Sequence, residues 1–130
     1  MTAEIRAFFE KYCAAFNQLD GEAVAQLYAV PSGIADDTGY THWSTFEPIC
    51  ENMVALCGLY RKNGYATASF EPGAFIQQGD HFAVADVQWR IERTGGQEPW
   101  RFGTTYNLMR SPRDWRILVC TAYCEKRLKA

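Results

Sequence analysis

The stretch WRFGTTYNLMRSPRDWRILVCTAYC, residues 100–124, decides the fold. Trp100, Phe102, Thr104, Tyr106 and Leu108 alternate with Arg101, Gly103, Thr105, Asn107 and Met109, a period of two that only an extended strand produces. Ser111-Pro112-Arg113-Asp114 puts proline at the second position of a turn. A second strand, Trp115–Glu125, follows, with Trp115, Ile117, Val119, Thr121 and Tyr123 on one side and Leu118, Cys120, Ala122 and Cys124 on the other. The first face of residues 100–110 is expected to meet a core. The last strand is apolar on both sides, so its second face is expected to need a cover of its own, and a second copy of the chain would supply it.

Working back from residue 100, the period of two persists to Gly64. His81–Arg93 alternates Ala83, Ala85, Val87, Trp89 and Ile91 against Phe82, Val84, Asp86, Gln88 and Arg90, which puts Asp86 outside. Thr94-Gly95-Gly96 and Gln78-Gly79-Asp80 are turns. Residues 65–70 and 74–77 form one long strand, broken by Glu71-Pro72-Gly73 where a bulge or bend is expected.

Before Gly64 the period becomes helical. Ile5, Phe8, Phe9, Tyr12, Cys13 and Phe16 recur at spacings of three and four behind Thr2, a candidate N-cap. Asp20 caps a shorter helix carrying Val24, Leu27 and Tyr28 and ending before Pro31. Residues 31–43 read as loop or short strand. Ser44-Thr45-Phe46-Glu47 has the capping-box form, and Phe46, Ile49, Met53, Cys57 and Tyr60 continue the stripe to Asn63-Gly64. Pro48 allows a start at Glu47 as well. The reading is α+β, three helices followed by a four-stranded antiparallel sheet, in a single domain over residues 1–130.

The 130 residues, 48% hydrophobic and 15% aromatic, are enough for one core. Residues 1–60 carry two basic and eight acidic side chains, residues 61–130 eleven basic and seven acidic. The basic excess includes Arg110, Arg113, Arg116, Lys126, Arg127 and Lys129, at turns and the C-terminal tail with no aromatic ladder between them, so no nucleic-acid partner is expected. Cys13, Cys50, Cys57, Cys120 and Cys124 are an odd set without a CxxC pair, so they are expected to be free thiols in a soluble, cytoplasmic protein. No membrane segment, metal site or cofactor motif is expected, and neither a nucleophilic triad nor a phosphate-binding loop is visible.

This order of elements, with a bent first long strand and Trp115-Arg116-Ile117 opening the last, resembles the NTF2-like superfamily, also called SnoaL-like or cystatin-like, over residues 4–126. The resemblance implies a curved sheet wrapped around the long helix, a cone with a central cavity, and a function the fold alone does not fix. Within it, residues 12–39 resemble the opening of the ketosteroid isomerases through Tyr12, Ala14, Ala15, Asn17, Asp20, Gly21, Leu27, Tyr28, Ala29, Asp36 and Gly39. That resemblance implies Tyr12 as a hydrogen-bond donor to a developing enolate and Asp36 as the proton carrier. The isomerases' protonated aspartate on the third long strand has no counterpart, since Thr105 or Tyr106 stands there.

The crowded segment Ile34-Ala35-Asp36-Asp37-Thr38-Gly39-Tyr40-Thr41-His42-Trp43 therefore has two readings. In one, Asp36, Tyr12 and His42 are catalytic, and Tyr40, Trp43, Trp89, Trp100, Phe102 and Tyr106 bind a small ligand. In the other, Asp36 caps an Asx-turn, His42 is a surface or helix-entry residue, and Tyr12 belongs to the core. His81 reads as surface, and Trp89, Trp100 and Tyr123 as core or cavity wall. Function divides accordingly between a cofactor-independent isomerase or lyase acting by proton transfer and a non-catalytic dimeric module that binds a ligand or partner.

Overall fold

Thr2 opens the first helix, α1 (Ala3–Asn17), by accepting a hydrogen bond from the Ile5 amide at 3.2 Å, which satisfies one of the amides a helix start leaves unpaired. The apolar stripe of α1, Ile5, Phe8, Phe9, Tyr12 and Cys13, is buried. Its last residue ties it to the sheet: Asn17 Oδ1 accepts from the Tyr65 hydroxyl and the Ala68 amide, both at 2.7 Å. The structure, a computed structural model, describes residues 1–125.

Asp20 caps α2 (Gly21–Ala25) through the Ala23 amide. Gly21 lets α2 approach the later long helix, because a Cβ there would lie 2.6 Å from the Val54 backbone. The second helix is shorter than its apolar residues suggest. Leu27 and Tyr28 leave it; the Leu27 carbonyl accepts from the Ile117 amide and Tyr28 begins strand β1 (Tyr28–Asp36). Pairing with a distant strand overrides the local helical spacing here, as tertiary contacts often do. Residues 31–43 are likewise strand: β1 turns through Asp37-Thr38 into β2 (Gly39–Trp43), with Gly39 at φ +126°, a backbone conformation that favours glycine. The Val30–Pro31 peptide is cis.

The long helix α3 (Phe46–Lys62) buries Ile49, Met53, Cys57 and Tyr60. Its N-cap is Thr45, with no side-chain capping bond, so the capping box read at Ser44 does not form. Four antiparallel strands follow: β3 (Tyr65–Gln78), β4 (Phe82–Arg93), β5 (Trp100–Arg110) and β6 (Trp115–Tyr123). The sheet is six-stranded in the order β2-β1-β6-β5-β4-β3, with β1 parallel to β6 and every other pair antiparallel. The four-stranded meander is thus extended by a hairpin that the first half of the chain adds to its far edge. Register shifts between Pro72 and Phe75, where the Pro-Gly break stands.

The last strand departs from simple alternation. Leu108 pairs with Ile117 and Asn107 with Val119, leaving Leu118 as an extra residue. The bulge reverses the phase. Trp115 and Ile117 face inward before it, and Cys120 and Ala122 are buried after it. Cys120 and Ala122, expected on the outer face, therefore belong to the inner one. Tyr123, expected in the core or cavity wall, lies outside across Gly103, where a Cβ would meet its ring at 2.2 Å. Its hydroxyl donates to Asp86 Oδ1 at 2.5 Å, and Thr105 and Gln88 donate to the same carboxylate.

Candidate functional site

The concave side of the sheet, α1 and α3 enclose a cavity of about 70 Å³. Among the hydroxyl-bearing residues that line it are Tyr12 from mid-α1, Tyr28 from the start of β1 and Tyr106 from β5, with Tyr60, Tyr65 and Thr104 beside them. Tyr12 and Tyr28 share a hydrogen bond of 2.9 Å, and Tyr28 lies 3.5 Å from the Cys120 thiol. Trp89 Nε1 donates to the Tyr106 hydroxyl at 3.0 Å, and the Tyr106 ring stands edge-on to Tyr12 with centroids 5.7 Å apart. Tyr12, Tyr28 and Tyr106 thus each have a partner, as a buried hydroxyl requires.

Burial pushes the pKa of Tyr12, Tyr28 and Tyr106 well above the ordinary phenol range; the Cys120 thiol adds to this for all three and neighbouring phenols for Tyr12 and Tyr28. Burial likewise raises Cys120 to about 11. At neutral pH these groups all keep their protons. In that form they are able to donate hydrogen bonds and not to act as bases, because deprotonation would put an uncompensated charge in an apolar site. The remaining wall is apolar, with Phe16, Met53, Ile91 and Phe102 among its members.

Of the residues singled out from sequence, Tyr12, Trp89, Phe102 and Tyr106 line the cavity. Asp36, Tyr40, His42, Trp43 and Trp100 stand outside its lining. Asp36, at the end of β1, accepts hydrogen bonds from the Thr38 amide at 2.8 Å and from the Thr38 hydroxyl, the Asx-turn geometry. Its charge still reaches the cavity, since it helps to raise Cys120 and Glu125. Tyr40 and His42 lie exposed on β2, at the edge of the sheet, with the Tyr40 hydroxyl 3.4 Å from His42 Nδ1. Tyr40 covers Gly33, where a Cβ would fall 2.3 Å from its hydroxyl. Trp43 is buried edge-on to Tyr28, 6.2 Å between centroids. Trp100 stacks on Tyr60 at 5.8 Å and lies under the Arg93 guanidinium. His81 is exposed.

Sequence reasoning missed Tyr28 and Cys120, which it read on a helix stripe and on the outer face, and it missed Glu125. Glu125 lines the cavity and is the one carboxyl among the described lining residues. Cys124 has φ +56°, so strand alternation stops there, and the tail reads from sequence as a solvated rim. Burial raises the Glu125 carboxyl above its ordinary value of 4.5, and the charges of Asp36 and Asp37 raise it further.

Among the described residues no group of three His, Cys, Asp or Glu side chains could hold a metal ion, and no helix is long and apolar enough to cross a membrane. All five cysteines are free.

The same cone occurs in solved structures. A domain of unknown function with a cystatin-like fold from Nostoc punctiforme is similar with a TM-score of 0.77 and 19% identity, over 98% of this chain and 81% of that one. An NTF-2 like protein of unknown function from Shewanella oneidensis has a TM-score of 0.76 and 15% identity over 92% and 96%. A ketosteroid isomerase-like protein from Erwinia carotovora has 0.72 and 16% over 93% of each. At these identities the likeness is one of fold. Among curated proteins none matches the sequence. Residues 3–125 match the family described as NTF2-like protein (DUF6841), and the chain belongs to that NTF2-like family.

Proposed function

We propose that the chain binds a small, largely apolar molecule in the cone cavity, oriented by the phenol hydroxyls of Tyr12, Tyr28 and Tyr106. The carrying observation is a cavity whose wall is apolar except for a few converging polar groups, the usual form of a small-molecule site. Cyclopentanone suits this as a test ligand, being compact and carrying one carbonyl for a phenol to reach. Titrating it should shift the methyl NMR signals of Met53 and Ile91, and Ala68→Leu, which fills the cavity from β3, should weaken binding about tenfold. Unmoved cavity methyls would remove the reading.

Proton transfer, as in a cofactor-independent isomerase or lyase, is a second reading. It is favoured by the Tyr12 phenol, held protonated at the cavity, with carboxyls on the same side of the fold in Asp36 and Glu125. In this reading Tyr12 donates to an enolate oxygen, Asp36 carries the proton, and exposed His42 exchanges it with solvent. Exchange of the α-hydrogens of cyclopentanone in D2O should then be accelerated by the protein and abolished by Asp36→Asn with the fold intact. Exchange at the uncatalysed rate leaves the binding reading alone.

We further propose a homodimer through the outer sheet face. Its apolar row is supported by the register: Ile76 pairs with Val84, Val84 with Asn107 and Asn107 with Val119, beside Phe82 paired with Met109. Ile76 and Phe82 are 57% and 44% exposed in the single chain.

A further inference from the structure

The cavity is charged in one sense only. Among the described residues its lining contains no lysine, arginine or histidine, and its one ionisable carboxyl is Glu125. The tyrosines of the lining, Tyr12, Tyr28 and Tyr106 among them, are buried residues, whereas Glu125 is half-buried and so stands toward the open side. Its charge is felt by Tyr60 and Cys120, which places it between α3 and the end of β6. The Tyr60 ring packs edge-on against Phe16 at 6.0 Å. Eight of the lining residues are aromatic, and ring faces are negative where a cation can approach them.

An anionic ligand fails on each of these counts. Its charge would be buried without a counter-ion, facing a carboxylate and the π-faces of the wall, and an unpaired buried charge is costly. A neutral ligand would leave the Glu125 carboxylate partly desolvated, with no cationic side chain among the described lining residues. That burden is visible already, since burial, then Asp36, then Asp37 disfavour the charged form of Glu125. A cation relieves it. Size sets the shape of that cation: about 70 Å³ is roughly half of the ~150 Å³ dry cavity that holds benzene. A small hydrocarbon group fills the interior and the rest of the molecule lies at the open side, where Glu125 is.

We propose that the ligand is a small organic cation, an apolar amine whose hydrocarbon end enters the cavity and whose ammonium meets the Glu125 carboxylate among aromatic faces. The proposal rests on the small-molecule-binding reading and narrows it to a ligand class. Bound this way, the ammonium gains a charge-assisted hydrogen bond and gives the carboxylate a counter-ion that the described lining residues do not supply.

Four compounds of one shape test it: cyclopentylamine, cyclopentanol, cyclopentanecarboxylate and cyclopentanone, each titrated at pH 7 while the Met53 and Ile91 methyl signals are followed. Cyclopentylamine should bind at least tenfold more tightly than cyclopentanol, and cyclopentanecarboxylate most weakly. In Glu125→Gln, which keeps shape and removes charge, the amine-to-alcohol ratio should fall to about one while cyclopentanol affinity stays within twofold. An amine no tighter than the alcohol, a preference that survives Glu125→Gln, or tighter binding of the carboxylate overturns the cation proposal and leaves the binding reading standing. If none of the four moves the cavity methyls, both fall.

Discussion

Glu125 couples the candidate site to stability, and the sign of that coupling follows from its direction of shift. Its folded value is raised above 4.5, chiefly by burial, so between the unfolded and folded values the native chain binds more protons than the unfolded one. Stability then falls as pH rises through that window. Thermal melts should show a higher midpoint at about pH 5 than at pH 7, and Glu125→Gln should flatten that part of the slope. Asp86 works in the opposite sense. Burial raises it, but hydrogen bonds from Tyr123, Gln88 and Thr105 together outweigh burial and hold it low, so its contribution is present above the ordinary carboxylate value of 3.8 and lost in acid. An unchanged midpoint slope in Glu125→Gln would show that its carboxyl is no more burdened folded than unfolded. At this scale the sequence was informative where one helix sufficed: Tyr12 lies on a stripe that α1 alone defines. It was silent on Glu125, whose placement depends on a left-handed residue before it that no glycine or asparagine signals. Asp36 was legible as a residue of interest, but whether its carboxylate turns to the cavity or to Thr38 is decided by a two-residue turn.

Among the elements, β6 shows why strands are harder to read than helices. Helices α1 and α3 and strands β4 and β5 are legible because each carries an unbroken period over eleven or more residues, and β3 because its one break falls at a Pro-Gly pair. The short elements were not: α2 stops at Ala25 because Leu27 and Tyr28 are taken by pairing with β6, a contact some ninety residues away in sequence. In β6 itself a single extra residue inverts the assignment of every side chain after it. Inserting one alanine between Val119 and Cys120 would shift every later residue of the strand by one position. Cys120 and Ala122 would then turn outward and Tyr123 inward against the Tyr12–Tyr28 pair. The expected outcome is a loss of roughly 3 kcal/mol of stability in urea unfolding. A change within ~0.5 kcal/mol, the usual range for a surface site, would mean that the bulge absorbs the added residue and the faces keep their native assignment.

For the whole molecule, the same phase reversal changes the composition of the outer face without abolishing its apolar character. Cys120 and Ala122 leave it, while Val119 joins Val84 and Ile76 in a row across β6, β4 and β3, interrupted at Asn107. A proposed dimer through this row makes a specific forecast. The native chain should sediment as a dimer at micromolar concentration, and Val84→Glu, placing a charge at the centre of the face, should give a folded monomer. A native chain that sediments as a monomer removes the proposal, and the row then stands as ordinary apolar surface.

The parallel pairing of β1 with β6 ties the order in which the chain is synthesised to the moment its interior becomes usable. Tyr28 and Ile117 are partners in that ladder, as are Ala35 and Thr121, so the hairpin from the first third of the chain has no sheet to join until the last strand has left the ribosome. Until then Tyr28 lacks the thiol of Cys120, and the β1–β2 ribbon is a two-stranded piece too small to persist in water. Loop-closure entropy must be met before that long-range pairing returns anything, which places the chain among slower folders of its size. A nascent polypeptide stalled before residue 115 would expose the unpaired edge of β1 and the apolar floor of the cone together, the combination that chaperones hold.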